Sequence, residues 1–517
     1  MPDLPAKDVA DELVECYLRT IETVYRILHI PTFRREYEKI WVSNSSPDPT
    51  FLVKLKLVLA LGSLTYDEGF SLRNSASSWV YQAHTWASGP RLKIRFSIDA
   101  MQIHLLLLLA REMVAHSEAI WIAAGSLVRM AMYMGLHRDP ALFPRQSTYS
   151  AEMRRRLWNT TLELCLQSAM TSGGPPLVSL QDFDTQPPGN FDDDQLTTEE
   201  PIPRPEREFT QMTVARALRK TVALRIAVTK YLNDTGCQTK HEDALRLEKE
   251  LRASHRNLAK TLVSCGRSSS ASTSTSSPFA FRVADLIMHR YILSLHIPFL
   301  DRALHDSAYA YSRKAAVDCA LKIWCAAFPA SSIVTSRNQG PEGEDAILAR
   351  LIKCGTGFFR YVSFQSIVIV ALELRAQIRE NDGLGPAPLR RDLLSMLEEG
   401  KTWSIQCIEV GETSVKGYLL YSLMLAWIEA LMQGASKEEL QVLLLKAAEE
   451  AGDTGLRVLQ GLAEEGPPGG VTEELDDLSW TTPGGLFSDV EFMVSLLTLI
   501  MWKEDLLTPA TDIESSI

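Results

Sequence analysis

The chain has 517 residues, of which 46% are hydrophobic and 23% are charged, a globular composition that excludes general disorder and supports a large core. The formal net charge is −11 and the pI is about 5.5, so a broad basic surface that grips DNA phosphates is not expected. The eight cysteines are scattered and no two stand at C-x-x-C spacing, which predicts buried thiols in a reducing compartment rather than disulfides or a zinc site.

The N-terminal part of the chain predicts a series of helices. Residues 8–41 predict two helices joined by a short link, in which Pro31 disfavours helical backbone at Ile30 and His29 is a turn or packing residue. The apolar stripe of the first helix consists of Leu13, Cys16, Tyr17 and Ile21. Residues 43–49 predict a loop, and further helices are expected over 51–64, 75–86 and 97–111.

Two apolar runs raise the question of ligands and membranes. Residues 101–110 are apolar nearly all round, which is typical of a central core helix and leaves room for a ligand pocket beside it. Neither this run nor residues 494–502 reaches the roughly 20 residues that a spanning helix needs. The first twenty residues also lack the pattern of a secretory signal, so we expect no membrane contact.

Residues 117–176 predict two helices joined by a turn. Ser117 is the expected cap of the first helix, and Gly135 suits a left-handed stop at its end. Ser150 is the expected cap of the second helix, which ends before Gly173. The two apolar stripes are Ile120, Ala124, Leu127, Ala131 and Met134, and Trp158, Leu162, Cys165 and Ala169.

Charged residues flank this helix pair. His137 and Arg138 follow the first helix, where they can bond its last carbonyl groups, and the three residues 154–156 are arginines that predict a solvated or salt-bridged face. Residues 177–208 are rich in Asp, Glu and Pro and predict a long acidic surface loop. The run 192–194, three aspartates, is expected to be solvated rather than to bind metal.

The rest of the chain continues the helical pattern, with no strand-type alternation and no constant repeat. The predicted helices are 210–231, 241–262, 279–300, 312–328, 347–379, 389–409, 415–432 and 437–465. The Ser-rich tract 268–277 is the best internal boundary. The tail 473–492 alternates acidic and large apolar residues, so it is either a docked loop, which is favoured, or an activation segment, with a candidate helix over 490–502.

An enzyme is a distant alternative. An all-α, magnesium-dependent terpene cyclase needs an Asp-rich motif and an Asn-Asp motif, and only near misses of the two occur, at 192–194 and at 233–241. No catalytic, cofactor-binding or metal-binding residue is assigned on this evidence.

Several short motifs in the same order resemble the middle homology region of fungal zinc-cluster transcription factors. The matching blocks are Leu-His-x-Pro-Thr-Phe at 28–33, Gly-Leu-His-Arg-Asp at 135–139, Glu-x-Arg-Arg-Arg-x-Trp at 152–158, and Asp-x-Asp before prolines at 182–188. A weaker echo covers 293–325, including LSLHIPFL and Cys319. This chain departs from the family pattern after the block at 152–158. There the family has a second Trp, an Asp-Arg pair and Gly-Arg-Pro, where this chain has Asn159, Cys165-Leu166 and Gly173-Gly174-Pro175.

The resemblance implies an all-α, large multi-helix regulatory domain with irregular acidic and Ser-rich loops. We expect 1–265 to be its N-terminal part, with the signature at 117–188, 266–277 a linker, 278–465 its C-terminal part, and 466–517 an acidic and aromatic tail with a terminal helix.

By the same resemblance, we expect the chain to be a nuclear, non-enzymatic regulator of transcription. The six-cysteine zinc cluster of the family's DNA-reading module is not among these residues, so zinc is expected only if such a cluster precedes them. The implied partners are the transcription machinery or a co-activator, and a DNA-binding partner or a second copy. A co-regulator without any cluster, acting only through protein binding, is the alternative.

Overall fold

The computed structural model describes most of the chain, and every regular element in the described residues is helical, as the sequence predicts. The described residues are 4–42, 47–89, 96–115, 120–143, 146–234, 240–267, 277–333, 346–380 and 390–465. The predicted Ser-rich tract 268–277, the Ser117 cap and the tail lie wholly or almost wholly outside them. The chain divides into two compact units, Met1–Ala330 with Ser336–Val362, and Ser331–Thr335 with Ser363–Ile517.

The first unit contains fifteen of the described α-helices and the start of a sixteenth. They are α1 Lys7–Arg19, α2 Ile21–Val24, α3 Ile30–Val42, α4 Pro49–Gly62, α5 Arg73–Ser88, α6 Ile98–Met113, α7 Ile120–Tyr133, α8 Thr148–Ser172, α9 Thr213–Arg219, α10 Val222–Asn233, α11 His241–Arg267, α12 Pro278–His296, α13 Leu300–Ala303, α14 Ala310–Ala327 and α15 Ile347–Cys354. Four of them, α4, α6, α8 and α12, are buried along most of their length and form the core. The predicted central position of residues 101–110 is therefore confirmed.

Four of the sequence-predicted boundaries are wrong in detail. The pattern 347–379 is two helices because Gly355 and Gly357, the latter at φ +71°, break it, and the pattern 210–231 breaks at Lys220 and Thr221 between α9 and α10. Helix α8 begins three residues earlier than expected, since the Ser147 hydroxyl accepts from the Ser150 N–H. Pro31 lies in the first turn of α3, where a proline loses no hydrogen bond, so the break before α3 comprises residues 25–29.

The second unit contains the rest of α16 Phe358–Arg379, followed by α17 Arg391–Glu409, α18 Lys416–Met432 and α19 Lys437–Glu465. Trp427, Ala430 and Leu440 form a buried apolar cluster between α18 and α19. The guanidinium of buried Arg375 lies 5.1 Å from the centre of the Trp427 ring, which gives this cation an aromatic partner.

Helix α16 is long and apolar enough to cross a membrane by length and composition, unlike any other described helix. Of its most apolar window, 78% is buried inside the structure. Burial of this kind is what a core helix shows, and lipid contact would instead require an exposed apolar surface.

Candidate functional site

The Gly-Leu-His-Arg-Asp block, residues 135–139, forms the turn that ends α7, and we call it the signature turn. Gly135 has φ +69°, its N–H donates to the Met132 carbonyl, and the Leu136 N–H donates to the Ala131 carbonyl, each at 2.9 Å. These two bonds define the helix stop that a glycine in left-handed conformation favours. The predicted stop at Gly135 is confirmed.

The signature turn is held from outside by residues 184–186. The His137 carbonyl accepts from the N–H groups of Asp184 and Thr185, and the Thr185 hydroxyl donates to the Leu136 carbonyl at 2.7 Å. The Asp184 carboxylate accepts from the Asp139 N–H at 2.7 Å and from half-exposed Arg138 at 2.8 Å. The two family blocks at 135–139 and 182–188 are therefore one structural unit.

Asp139 receives the largest set of donors in the turn. Its carboxylate accepts from Arg155 through two nitrogens, Nη2 at 2.8 Å and Nε at 3.1 Å, and from the N–H groups of Gln186 and Ala141. Burial opposes ionisation, but these hydrogen bonds lower the pKa of Asp139 to about 2. Arg155 also donates to Glu152, whose other oxygen accepts from the Gly189 N–H at 2.7 Å.

The three consecutive arginines have three different environments. Half-buried Arg154 donates to the Met134 carbonyl at the end of α7 at 2.8 Å, Arg155 binds Asp139, and Arg156 is fully buried. The prediction of a salt-bridged face is confirmed for Arg155 and Arg156, which pair with Asp139 and Asp193, whereas a solvated position is wrong for Arg156. The helix-end carbonyl is bonded by Arg154 rather than by His137 or Arg138, because α8 brings that guanidinium back over the turn.

The prediction that the three aspartates 192–194 are solvated is wrong for the first two. Residues 177–212, which we call the acidic connection, have no helix beyond a short 3-10 turn at Asp193–Thr197, yet Asp192 and Asp193 are buried and only Asp194 is exposed. Arg204 pairs with Asp192 at 3.0 Å. The acidic connection is therefore held against the protein by buried carboxylates with charged partners, and it is not a solvated loop throughout.

Asp193 is the centre of a buried ionic cluster that joins distant parts of the chain. Its Oδ1 accepts from Arg26 at 2.7 Å and from Arg156 at 2.6 Å, and its Oδ2 accepts from the Ile30 N–H at 2.8 Å. The His29 ring lies 2.9 Å from the Asp193 carbonyl. We call Asp193, Arg26 and Arg156, with Glu22 at 3.6 Å from Arg26, the Asp193 cluster.

Charge balance explains why this cluster is stable when buried. Although burial opposes ionisation, the positive charges of Arg26 and Arg156 lower the pKa of Asp193 well below its usual range. Glu22 accepts from the Tyr17 hydroxyl and from the N–H groups of Ile27 and Leu28, which holds the break between α2 and α3. The His29 block and the arginine block of the signature thus meet at one carboxylate.

A second buried pair, missed by the sequence analysis, joins α8 to α10. Arg225 donates to both oxygens of Glu163, at 2.6 and 2.7 Å, and its guanidinium lies 5.6 Å from the centre of the Tyr291 ring. Nothing in the local pattern marks Glu163, because it lies between apolar residues of a predicted core stripe. Only its distant partner makes the charge tolerable.

The same contacts weaken the terpene-cyclase alternative. The carboxylates of Asp192 and Asp193 are bonded to arginines, and the Asn233 side chain donates to the carbonyls of Ala169 and Gly174. In the described part of the two near-miss motifs, Asp192, Asp193 and Asn233 thus already have partners within the protein.

A cavity of about 410 Å³ lies beside α6, where the sequence leaves room for a pocket. It is lined by residues of α5, α6 and α7, namely His84, Ala87, Ser88, His104, Leu107, Leu108, Arg111, Ile122, Ala123, Ser126, Leu127 and Met130. Burial lowers the pKa of His84, and the charge of Arg111 lowers it further, so this ring is neutral at pH 7. The cavity offers an apolar wall with a few polar groups, as small-molecule sites do.

These features lie within a segment of the chain that matches a known family of proteins. Residues 14–263 match the fungal specific transcription factor domain, which covers the signature turn, the acidic connection and the Asp193 cluster. Transcription factor opdR of Penicillium oxalicum is 36% identical over 458 residues, which are 83% of this chain and 57% of the relative. Transcription factor lepE of Aspergillus flavus is 31% identical over 84% of this chain and 53% of its own length.

Another relative is named for its target. The aspyridones cluster regulator apdR of Emericella nidulans is 31% identical over 352 residues, 66% of this chain and 46% of the relative. The chain thus spans about half the length of the curated relatives it matches. No solved structure matches the chain. Residues 14–263 thus match the fungal specific transcription factor domain, and the chain is similar over most of its length to named fungal transcription factors.

Proposed function

We propose that the chain is the helical regulatory part of a nuclear transcription regulator that controls a gene cluster. The alignment with named transcription factors along 83% of the chain carries the proposal, and the name of the aspyridones cluster regulator supports the type of target. DNA is read by a module outside these residues or by a partner, since the eight cysteines of this chain form no closely spaced set.

The contacts made by the signature residues support a structural role for them. Arg156 and Asp193 are fully buried and bonded to each other, so neither reaches a phosphate or a partner protein. We propose that these residues hold the regulatory body in one arrangement. Recognition then belongs to other surfaces and to the cavity beside α6.

A reporter assay tests the regulatory function. The whole chain is fused to an unrelated DNA-binding module in a fungal host, and transcription is measured from a promoter that carries the module's site. We expect the fusion to raise or lower transcription relative to the module alone, because the chain contacts the transcription machinery or a co-activator. Transcription equal to that of the module alone, with the fusion present in the nucleus, contradicts the proposal.

The cavity beside α6 is the proposed site of a small effector with an apolar body and a polar group. Ala123→Trp fills the cavity from α7, whereas Tyr133→Trp adds the same ring on an exposed position of the same helix. In the reporter assay we expect Ala123→Trp to shift transcription and Tyr133→Trp to leave it unchanged. Equal transcription in both variants and in the parent contradicts effector control through this cavity.

Two routes to DNA remain, and one observation distinguishes them. The 5′ end of the native transcript, with the genomic bases upstream of Met1, either encodes an in-frame six-cysteine cluster or does not. In the first case the regulator binds DNA itself, and in the second it acts through a DNA-binding partner. Under both, we expect the 517-residue chain to bind random duplex DNA negligibly at low salt, and micromolar binding contradicts this.

A further inference from the structure

Two histidines and an aspartate from α11 and α12 meet on the surface of the first unit. Asp285 and His289 are four residues apart on α12, so they lie on the same face of that helix, and α11 places His255 against them. None of the three belongs to the signature, the acidic connection or the cavity beside α6. We call these three residues the His-Asp-His cluster.

The side chains of this cluster converge closely. His255 Nε2 lies 2.8 Å from Asp285 Oδ1, and His289 Nδ1 lies 3.3 Å from Asp285 Oδ2. One potential ligand atom from each residue lies within 4.8 Å of the others. Three donors around a tetrahedral zinc ion, at about 2.0–2.1 Å from it, are about 3.4 Å apart, so the cluster is close to the size of such a site.

The surroundings hold the cluster in place while keeping one side open. The His255 and His289 side chains are only 15% and 7% exposed, whereas the Asp285 side chain is 41% exposed. His289 Nδ1 also lies 3.0 Å from the Asp285 carbonyl, and the two imidazole rings are perpendicular, with centres 4.7 Å apart. A metal bound at this nitrogen would replace the proton that the carbonyl contact implies, since a nitrogen that donates a hydrogen bond has no electron pair free for the metal.

We propose that the His-Asp-His cluster binds one divalent transition-metal ion of the zinc type. Imidazole nitrogens with a carboxylate suit zinc, and two histidines with one carboxylate form sites that leave a coordination position open. This site is separate from the six-cysteine zinc cluster that the family resemblance implies for a DNA-reading module. Two of its ligands, Asp285 and His289, also lie beyond the matched family domain, which ends at residue 263.

The open side faces a cleft of about 740 Å³ with a basic wall. Arg252, Arg256, Arg282 and Lys322 line it, together with Cys325 and the cluster itself. Arg252 pairs with Glu248 and Lys322 pairs with Asp318, but the remaining cations of the wall still disfavour a bare dication. The metal is therefore expected to recruit an anionic ligand in the open position. The Cys325 thiolate is one such ligand within the same cleft, and a carboxylate or phosphate from solution is the other.

Metal titration of the purified 517-residue chain tests the site. After removal of metal with a chelator, the chain is titrated with Zn²⁺ in competition with a coloured chelator, and with Co²⁺ by absorption spectroscopy. We expect one equivalent of either metal, intense tetrahedral Co²⁺ bands, and a thiolate charge-transfer band only if Cys325 is a ligand. Cys325→Ser removes that band if it is present and leaves the stoichiometry at one.

Variants distinguish the cluster from incidental metal binding. We expect His255→Gln and Asp285→Asn to weaken Zn²⁺ binding by at least about 100-fold, since loss of even a supporting group costs 10–100-fold. His305→Gln changes an exposed histidine outside the cluster and is expected to keep the parent affinity. Circular dichroism confirms that each variant is folded before titration.

Chemical protection gives a readout that needs no variant. Diethylpyrocarbonate modifies accessible imidazoles, and mass spectrometry locates the modified residues. We expect one equivalent of Zn²⁺ to protect His255, the more exposed of the two cluster histidines, and to leave His305 reactive. The absence of stoichiometric binding, equal protection of His255 and His305, or unchanged affinity in His255→Gln overturns the proposal and leaves only an Asp-His hydrogen-bonded cluster.

Discussion

The acidic connection in the first unit and helices α17–α19 in the second unit are buried by different interactions. In the acidic connection, backbone without helices is held by carboxylates that accept from arginines and from N–H groups, with Asp193 and Asp139 as the centres. In α17–α19 the helices satisfy their own backbone, and the buried contacts are mainly between apolar and aromatic side chains, around Trp427 and Tyr421. Irregular backbone is therefore held by positioned charged groups, whereas a helical bundle is held by the packing of its buried side chains.

The largest expected effect comes from removing one charge, that of Asp193, which holds the acidic connection in place. Asp193→Asn leaves Arg26 and Arg156 buried without their shared anion, which should cost about 4 kcal/mol of unfolding free energy. Amide hydrogen exchange should accelerate in residues 177–212 and 25–30 and stay unchanged in 416–432. Asp194→Asn changes the exposed neighbour and should have no effect, so equal exchange in both variants would show that the Asp193 cluster does not hold the connection.

The converse experiment removes a buried aromatic side chain from the second unit. Trp427→Ala empties a fully buried position and should cost about 3 kcal/mol, with faster exchange in α17–α19 but not in residues 177–212. Leu445→Ala, at an exposed position of α19, is the matched control. If Trp427→Ala also accelerated exchange in the acidic connection, the two regions would not be independent.

The next prediction uses pH, to which the signature turn should respond through Asp139. Because the folded pKa of Asp139 is about 2 and its usual value is 3.8, its stabilisation is present above about pH 4 and is lost as the pH falls toward 2. This amounts to about 2 kcal/mol. Protection factors, which correct for the intrinsic pH dependence of amide exchange, should fall in the signature turn of the parent across this window. In Asp139→Asn they should already be low at pH 5 and should change less with pH.

Two matching glycines give the smallest and sharpest comparison. Gly434 ends α18 with φ +68° and the same two backbone bonds that Gly135 makes after α7. Alanine at either position should lose about 1 kcal/mol for the left-handed backbone. A new Cβ at 434 meets nothing within 4 Å, whereas one at 135 lies 3.3 Å from Arg154 Nη2. Gly135→Ala should therefore lower the free energy of unfolding in urea more than Gly434→Ala does. Equal losses of unfolding free energy would mean that the Arg154 side chain moves away from the new Cβ at no cost.

The sequence predicts helices and their stops better than it predicts charged contacts. The stop at Gly135 and the apolar stripes of α7 and α8 follow from local rules, so they were predictable. The burial of Asp193 was not, since three consecutive aspartates carry no local signal that says which one turns inward. Its partner Arg26 is 167 positions away along the chain.

The His-Asp-His cluster shows the same limit. The i,i+4 spacing of Asp285 and His289 is visible in the sequence, but His255 lies 30 residues before Asp285 and on the far side of the Ser-rich tract. Spacing alone cannot join them without the packing of α11 on α12. The break at Gly355 and Gly357 was missed for a different reason, because apolar residues continue with helical spacing on both sides of it.

The separation between Arg26 and Asp193 also sets an order of events during synthesis. At a translation rate of about 5–20 residues per second, the 167 residues between them take roughly 10–30 seconds to emerge from the ribosome. Until Asp193 appears, Arg26 has no partner from the acidic connection, and α8 cannot complete its contact with the α2–α3 break. Nascent chains arrested before residue 193 should therefore remain protease-sensitive at residues 25–30, while chains arrested well beyond 212 become resistant there.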